Sequence, residues 1–214
     1  MNIAEEEIVR AFELLNESSC EYILMRNIGN EIPGHLEYGK DIDILIRHSC
    51  KNRMVDFLKD NGFCRAKHPL ERDVFLYGVQ PCIQMKNKAG VLFDLNFDLA
   101  VRSLDAGQWI PLDQRIQGSV WENKKVRKNK DFKYWAMDYE DELVTLVARS
   151  VFDKKNFSYG YINRISELLS LIDEESILCK LKLIFFKFTP FLMEYLKRGE
   201  YEIIFKKYIE FKNY

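Results

Sequence analysis

Two stretches alternate apolar and acidic residues with a period of two: "DIDILI" at 41–46 and "VLFDLNFDL" at 91–99. Period two is the signature of a β-strand, whose successive side chains point to opposite faces. Each stretch therefore commits the chain to a sheet with one face on an apolar core. Ile42 and Ile44 pack behind Asp41 and Asp43. Phe93, Leu95 and Phe97 turn to the core, and Asp94, Asn96 and Asp98 point the other way. Residues i and i+2 lie about 6.5–7 Å apart on one face, so Asp41 and Asp43 project together. If the two strands are neighbours, three or four carboxylates crowd one small area. Aspartate is depleted in strands. Two readings stay open: the solvent faces of amphipathic strands, or a site that holds a cation.

The surrounding pattern supplies the organisation. Ile3, Ile8, Phe12 and Leu15 predict an amphipathic helix over 2–16. "EYILMRN" (21–27) reads as a buried strand, and "IGNEIPGHLEYG" (28–39), with three glycines and a proline, as a loop. A helix over 51–61 follows, with Gly62 placed to cap it. Strands are predicted at 73–79 and 82–87, with a turn at 88–90. After about residue 135 helical periodicity takes over, with Leu143, Leu146, Val147 and Val151 on one face and a second helix over 161–172. The apolar run 180–196 reads as a buried helix pair broken near Pro190. The expected fold class is α+β: a mixed sheet flanked by helices over 1–130, then a helical C-terminal domain over 131–214.

Composition excludes several function classes. The 214 residues carry a formal net charge of −1, so no global basic field calls for nucleic acid. The local basic run "KKVRKNKDFK" (124–133) reads as a solvated loop or hairpin. Five scattered cysteines without a CxxC, and three histidines without metal-site spacing, argue against zinc. The acidic, amphipathic N-terminus is unlike a signal peptide, and no run reaches the roughly 20 apolar residues of a membrane span. A cytoplasmic protein with no membrane partner is the expectation. No GxSxG, HExxH, GxxxxGK[ST] or GxGxxG occurs.

Crowded like charges repel, and one pKa rises unless a cation neutralises them. Mg²⁺ is the usual answer, held by one or two carboxylates plus substrate phosphates. Two such ions bracket the attacking and leaving oxygens in phosphoryl transfer.

A first strand, a loop of a dozen or so residues, "DIDILI" heading a second strand, and a later single aspartate in "FDLNF" (93–97) together resemble the nucleotidyltransferase superfamily, with its DNA polymerase β-like fold. The segment from "YEDELVTLVARSVF" to "YINRISELL" also looks like the tail of uncharacterised bacterial nucleotidyltransferases associated with surface-polysaccharide genes. The resemblance implies that Asp41, Asp43 and Asp94 hold Mg²⁺, two ions in all. Asp94 would also help deprotonate an acceptor hydroxyl, with Asp98 in reserve. The implied partners are a nucleoside triphosphate donor and a small-molecule acceptor such as a sugar, an alcohol phosphate or an aminoglycoside-like compound.

One departure stands out. The family begins its motif with Gly-Ser at the end of the first strand, where the triphosphate is held. Here that place carries Arg26 and Asn27. Arginine can hold phosphate by a bidentate fork and asparagine can donate from its amide, while Arg26 can equally pair with one of the aspartates. Lys40 can touch phosphate or simply be an exposed lysine. The replacement makes a nucleotide-diphosphate-linked donor, as in phosphocholine transfer to surface glycans, a second enzymatic reading. A non-catalytic nucleotide- or protein-binding module of toxin–antitoxin type is a third.

Supporting candidates each have a structural explanation beside the functional one. Glu142 and Arg149 can share a helix face, and Lys154 and Lys155 follow near that helix's end, where cations favour the dipole. Tyr159 and Tyr161 can stack a base or sugar, with core packing the stronger reading. His35 lies in the loop before Asp41 and reads as a surface histidine.

Overall fold

The computed structural model describes residues 1–66, 82–102, 109–129 and 132–210. In chain order the elements are helix α1 (Glu5–Glu17), strands β1 (Tyr22–Leu24) and β2 (Asp41–Ile46), and helix α2 (Lys51–Asp60). Strands β3 (Cys64–Ala66), β4 (Ile83–Lys86), β5 (Leu92–Asn96), β6 (Ala100–Arg102) and β7 (Trp109–Pro111) follow. Helix α3 (Gln114–Glu122) precedes strands β8 (Lys125–Asn129) and β9 (Phe132–Ala136). Helices α4 (Tyr139–Arg149), α5 (Tyr159–Leu169), α6 (Glu174–Phe185), α7 (Thr189–Arg198) and α8 (Tyr201–Glu210) complete the order. The strand expected at 73–79 lies outside the described residues. The α+β class, a mixed sheet flanked by helices with a helical C-terminal part, is the one observed.

The chain forms two compact units. One comprises residues 1–100 and 123–137, the other 101–122 and 138–214.

In the first unit seven described strands form one sheet in the order β3-β4-β5-β2-β1-β9-β8. Pairs β2–β5 and β1–β9 are parallel, and the remaining neighbours are antiparallel. Strand β2 sits in the middle, and Ile42, Ile44, Leu45 and Ile46 are fully buried. Helix α1 covers the apolar face with Ile8, Ala11, Phe12 and Leu15. The Phe12 ring meets Tyr22, Phe93, Phe132 and Tyr134 at centroid distances of 6.2, 5.9, 5.0 and 6.2 Å. Each such buried side chain contributes about 1.5–3 kcal/mol. Helix α2 stops where Gly62 adopts φ +86, the left-handed position that glycine takes without steric cost. From Lys125 on, the described residues of the basic run lie on the antiparallel pair β8–β9, and lysines on the edge strand β8 discourage further strand pairing.

In the second unit Asp138 caps α4 by accepting the Asp141 N–H at 2.8 Å. Asp141 is fully buried and accepts from the Ser119 hydroxyl at 2.9 Å and from the Lys180 ammonium at 2.8 Å. Lys180 also reaches Glu140 at 3.0 Å. This network ties α3, α4 and α6 together. The expected apolar face of α4, Leu143, Leu146, Val147 and the following Val151, is buried. The break near Pro190 is found at 186–188, with Pro190 in the first turn of α7, where a missing N–H costs nothing. No described helix is long and apolar enough to cross a membrane.

Candidate active site

Strands β2 and β5 run side by side in parallel, with Asp43 directly opposite Asp94 and Asp41 opposite Leu92. Phe93 and Leu95 point into the core, so Asp94 emerges on the other face, the one that carries Asp41 and Asp43. Oxygens of the three carboxylates all lie within 4.8 Å of one another. Asp41 is exposed, Asp43 half-buried, and Asp94 only 7% exposed. Because β2 and β5 are neighbours, these three aspartates come together on one face. Asp98 does not join them. Strand β5 ends at Asn96, the chain bends, and the Asp98 carboxylate lies 3.6 Å from Nδ1 of His48.

Burial, then the charge and hydrogen bond of Asp41, raise the Asp94 pKa to about 7, with Asp43 adding to the rise. A hydrogen bond from Gln84 Nε2 to Asp94 Oδ1, 2.7 Å long, pulls the other way. The cluster is thus a concentration of negative charge that its own protein relieves only in part. Its donor set is hard oxygen, suited to Mg²⁺. Asp41, Asp43 and Asp94 would hold such an ion through oxygens that already lie within 4.8 Å of one another.

Arg26 follows β1, whose antiparallel ladder with β2 is extended by the Met25 N–H to the Asp43 carbonyl at 3.0 Å. Its guanidinium pairs with the Asp43 carboxylate, and the two side chains are 11% and 21% exposed. Asn27 instead closes the following loop. Its amide donates to the Ile32 carbonyl at 3.0 Å and its oxygen accepts the Ile32 N–H at 2.9 Å. Lys40 forms a partly exposed ion pair with Glu31. His35 is exposed, as expected of a surface histidine.

The supporting candidates belong to the second unit. Glu142 takes a two-pronged pair from Arg164, both bonds 2.7 Å. Arg149 lies 3.4 Å from Asp153. Lys154 and Lys155 are exposed at a π-helical turn that ends with Lys155 at φ +52. Tyr159, expected to pack in the core, is 80% exposed, because it opens α5 on the outer side of its first turn. Tyr161 is half-buried.

Two neighbours of the cluster escape a reading of the aspartates alone. Gln84 lies directly opposite Asp94 on β4. The Cys82 thiol is buried and is pushed up by that burial and by Asp94. The signal for both was the tight turn between 82–87 and 91–99, since a hairpin's length sets which residues face each other.

No family model matches the chain, and no curated protein matches it. Six chains of solved structures are similar, among them these two. One is the crystal structure of lincosamide antibiotic adenylyltransferase LnuA with lincomycin bound, 14% identical, with a TM-score of 0.45 over 80% of this chain and 100% of that one. The other is the solution structure of antibiotic-resistance factor ANT(2'')-Ia, 7% identical, with a TM-score of 0.49 over 90% of this chain and 96% of that one. In this chain the paired aspartates head the middle strand of the sheet and the third stands on the parallel neighbour. Likeness at this level carries no chemistry, which has to come from the side chains.

Proposed function

We propose that the chain is a Mg²⁺-dependent nucleotidyltransferase that moves a nucleoside monophosphate from a nucleoside triphosphate to a hydroxyl of a small molecule. The observation that carries this reading is the convergence of Asp41, Asp43 and Asp94 from two parallel strands to within 4.8 Å, with Asp94 buried. A binding module has no need to hold three repelling carboxylates together. When bound, the divalent ions neutralise the carboxylates and the charge developing on the transferred phosphoryl group.

The protein's own groups do the remaining work. Asp41 and Asp43 face the donor's phosphates through that charge, and Asp94, the deepest of the three, orients the acceptor hydroxyl and helps draw off its proton. Arg26 exchanges part of its contact with Asp43 for a phosphate oxygen when the donor arrives. Lys40 lies one residue before Asp41 and can join it. One observation favours a different donor. The Asn27 amide is occupied with Ile32 on both its polar atoms. With that grip on a triphosphate withdrawn, a nucleotide-diphosphate-linked donor such as CDP-choline is the second reading.

The test is the thermal stability of wild type and Asp43→Ala with ATP, CTP, GTP, UTP or CDP-choline, each with and without Mg²⁺. A ligand at about 100 times its dissociation constant stabilises by roughly 2.7 kcal/mol. A Mg²⁺-dependent shift with one nucleotide, absent in the variant, supports the reading and names the donor. No shift with any of them overturns it in favour of a protein-binding module.

A further inference from the structure

The carboxylate face of the sheet continues past Asp94 onto β4. The register sets Gln84 opposite Asp94, and Lys86 opposite Leu92, which in turn is opposite Asp41. Along β4, Ile83 and Met85 are buried and Gln84 and Lys86 are half-buried. Gln84 touches Asp94, so Lys86, two residues on, belongs to the same face. It stands two strands from Asp41, about 10 Å between backbones.

Lys86 makes no ion pair among the described residues. Its ammonium instead sits 4.9 Å from the centroid of the Tyr38 ring. Tyr38 comes from the loop that leads into Asp41, and its ring is seated on Gly90. A Cβ at position 90 would meet the ring at 2.3 Å, and Gly90 has φ +97, so glycine there serves both the turn and the ring. Tyr38 is 52% exposed and is tied down by its N–H to the Met1 carbonyl at 2.9 Å. The result is an accessible cation beside an accessible aromatic ring, both held in place, on the Asp94 side of the cluster. Arg26 occupies the opposite, β1 side.

We propose that Tyr38 and Lys86 form an acceptor subsite for a phosphorylated hydroxyl compound, such as a sugar phosphate or an alcohol phosphate. This rests on the nucleotidyltransferase reading, in which Asp94 meets the acceptor. An acceptor whose hydroxyl lies at Asp94 extends towards β4, where the Lys86 ammonium takes its phosphate and the Tyr38 ring lies against its carbon skeleton. A polycationic amino sugar is repelled from the same place. Donor phosphate is the other possible source of the anion, and the β1 position of Arg26 assigns it to the opposite side.

The experiment titrates wild type, Lys86→Met and Tyr38→Leu in Mg²⁺ with two sets of probes. One set is ATP, CTP, GTP and UTP. The other is glucose 1-phosphate, glycerol 3-phosphate, glucose and glucosamine. Melting temperatures check that the variants fold, and Lys86→Gln replaces Lys86→Met if the latter does not. Wild type is expected to bind a phosphorylated probe over glucose and glucosamine. Lys86→Met weakens that binding about tenfold or more, as loss of a charged hydrogen bond predicts, and Tyr38→Leu weakens it by a smaller factor, as loss of a ring contact predicts, with nucleotide affinity unchanged in both. Loss confined to the nucleotide assigns Lys86 to the donor and overturns the proposal. So does a wild type that binds a nucleotide but neither phosphorylated probe, and the transferase reading survives that result. Binding of a phosphorylated probe, lost in the variants, by a protein that binds no nucleotide keeps the subsite and removes the transferase reading.

Discussion

Asp94 is where burial and function pull hardest against each other. Its pKa of about 7 in the folded chain stands against 3.8 for an ordinary aspartate. Between those values the folded protein keeps a proton that the unfolded chain has released. In the absence of divalent cation, the contribution of Asp94 to stability is therefore full below about pH 4 and is lost as pH rises to about 7, by at most about 1.4 kcal/mol per unit. Melting curves in EDTA across that range should show the decline, Asp94→Asn should reduce it most between about pH 6 and 7, and Mg²⁺ should reverse it. Asp141, raised to about 6 by its burial, carries a share below that. A slope between about pH 6 and 7 that is unchanged in Asp94→Asn would mean another group is responsible. Arg26 is the counter-charge within the same cluster. Arg26→Met leaves Asp43 facing two carboxylates without its cation and should cost about 1–3 kcal/mol in EDTA. Urea denaturation should show most of that cost recovered by Mg²⁺. A loss indifferent to Mg²⁺ would place the cation away from Asp43.

At the scale of elements, strands β2 and β5 were legible because each repeats its apolar residues with period two, and the core side of each is the one expected. Periodicity fails where an element is short. Strands β6 and β7 have three residues each, too few for a period to register. The break between α6 and α7 was readable from Pro190, but its strain was not. Phe186 takes the break at φ +50 and ψ −124 with its ring 67% exposed. A side chain with a Cβ is strained there and glycine is not. Phe186→Gly should therefore stabilise the protein by about 1 kcal/mol, read as a rise in melting temperature. A fall would mean that the exposed ring is packed in solution.

At the scale of the whole molecule, each unit rests on a few long-range meetings. In the second, Asp141, Lys180 and Ser119 come from three helices far apart in sequence. Lys180→Met strands a fully buried carboxylate and should cost about 3 kcal/mol or more. Adding Asp141→Asn should restore part of that in urea denaturation. Costs that simply add would show that the pair is not coupled. None of these meetings could be read from the chain, since nothing local specifies which helix brings a lysine to Asp141. The carboxylate site divides in the same way. The sequence by itself determined that Asp41, Asp43 and Asp94 lie on strands and on the side away from the core, because side-chain alternation is a local property of the backbone. It also determined that a helical half follows the sheet. Only the tertiary structure decided that β2 and β5 are parallel neighbours in register, that Asp98 falls beyond the strand's end, that Asn27 is spent on its own loop, and that Lys86 and Tyr38 join the same face. Strand order and register depend on how the whole sheet closes over α1, and that depends on burying Phe12, Phe93 and Phe132 together.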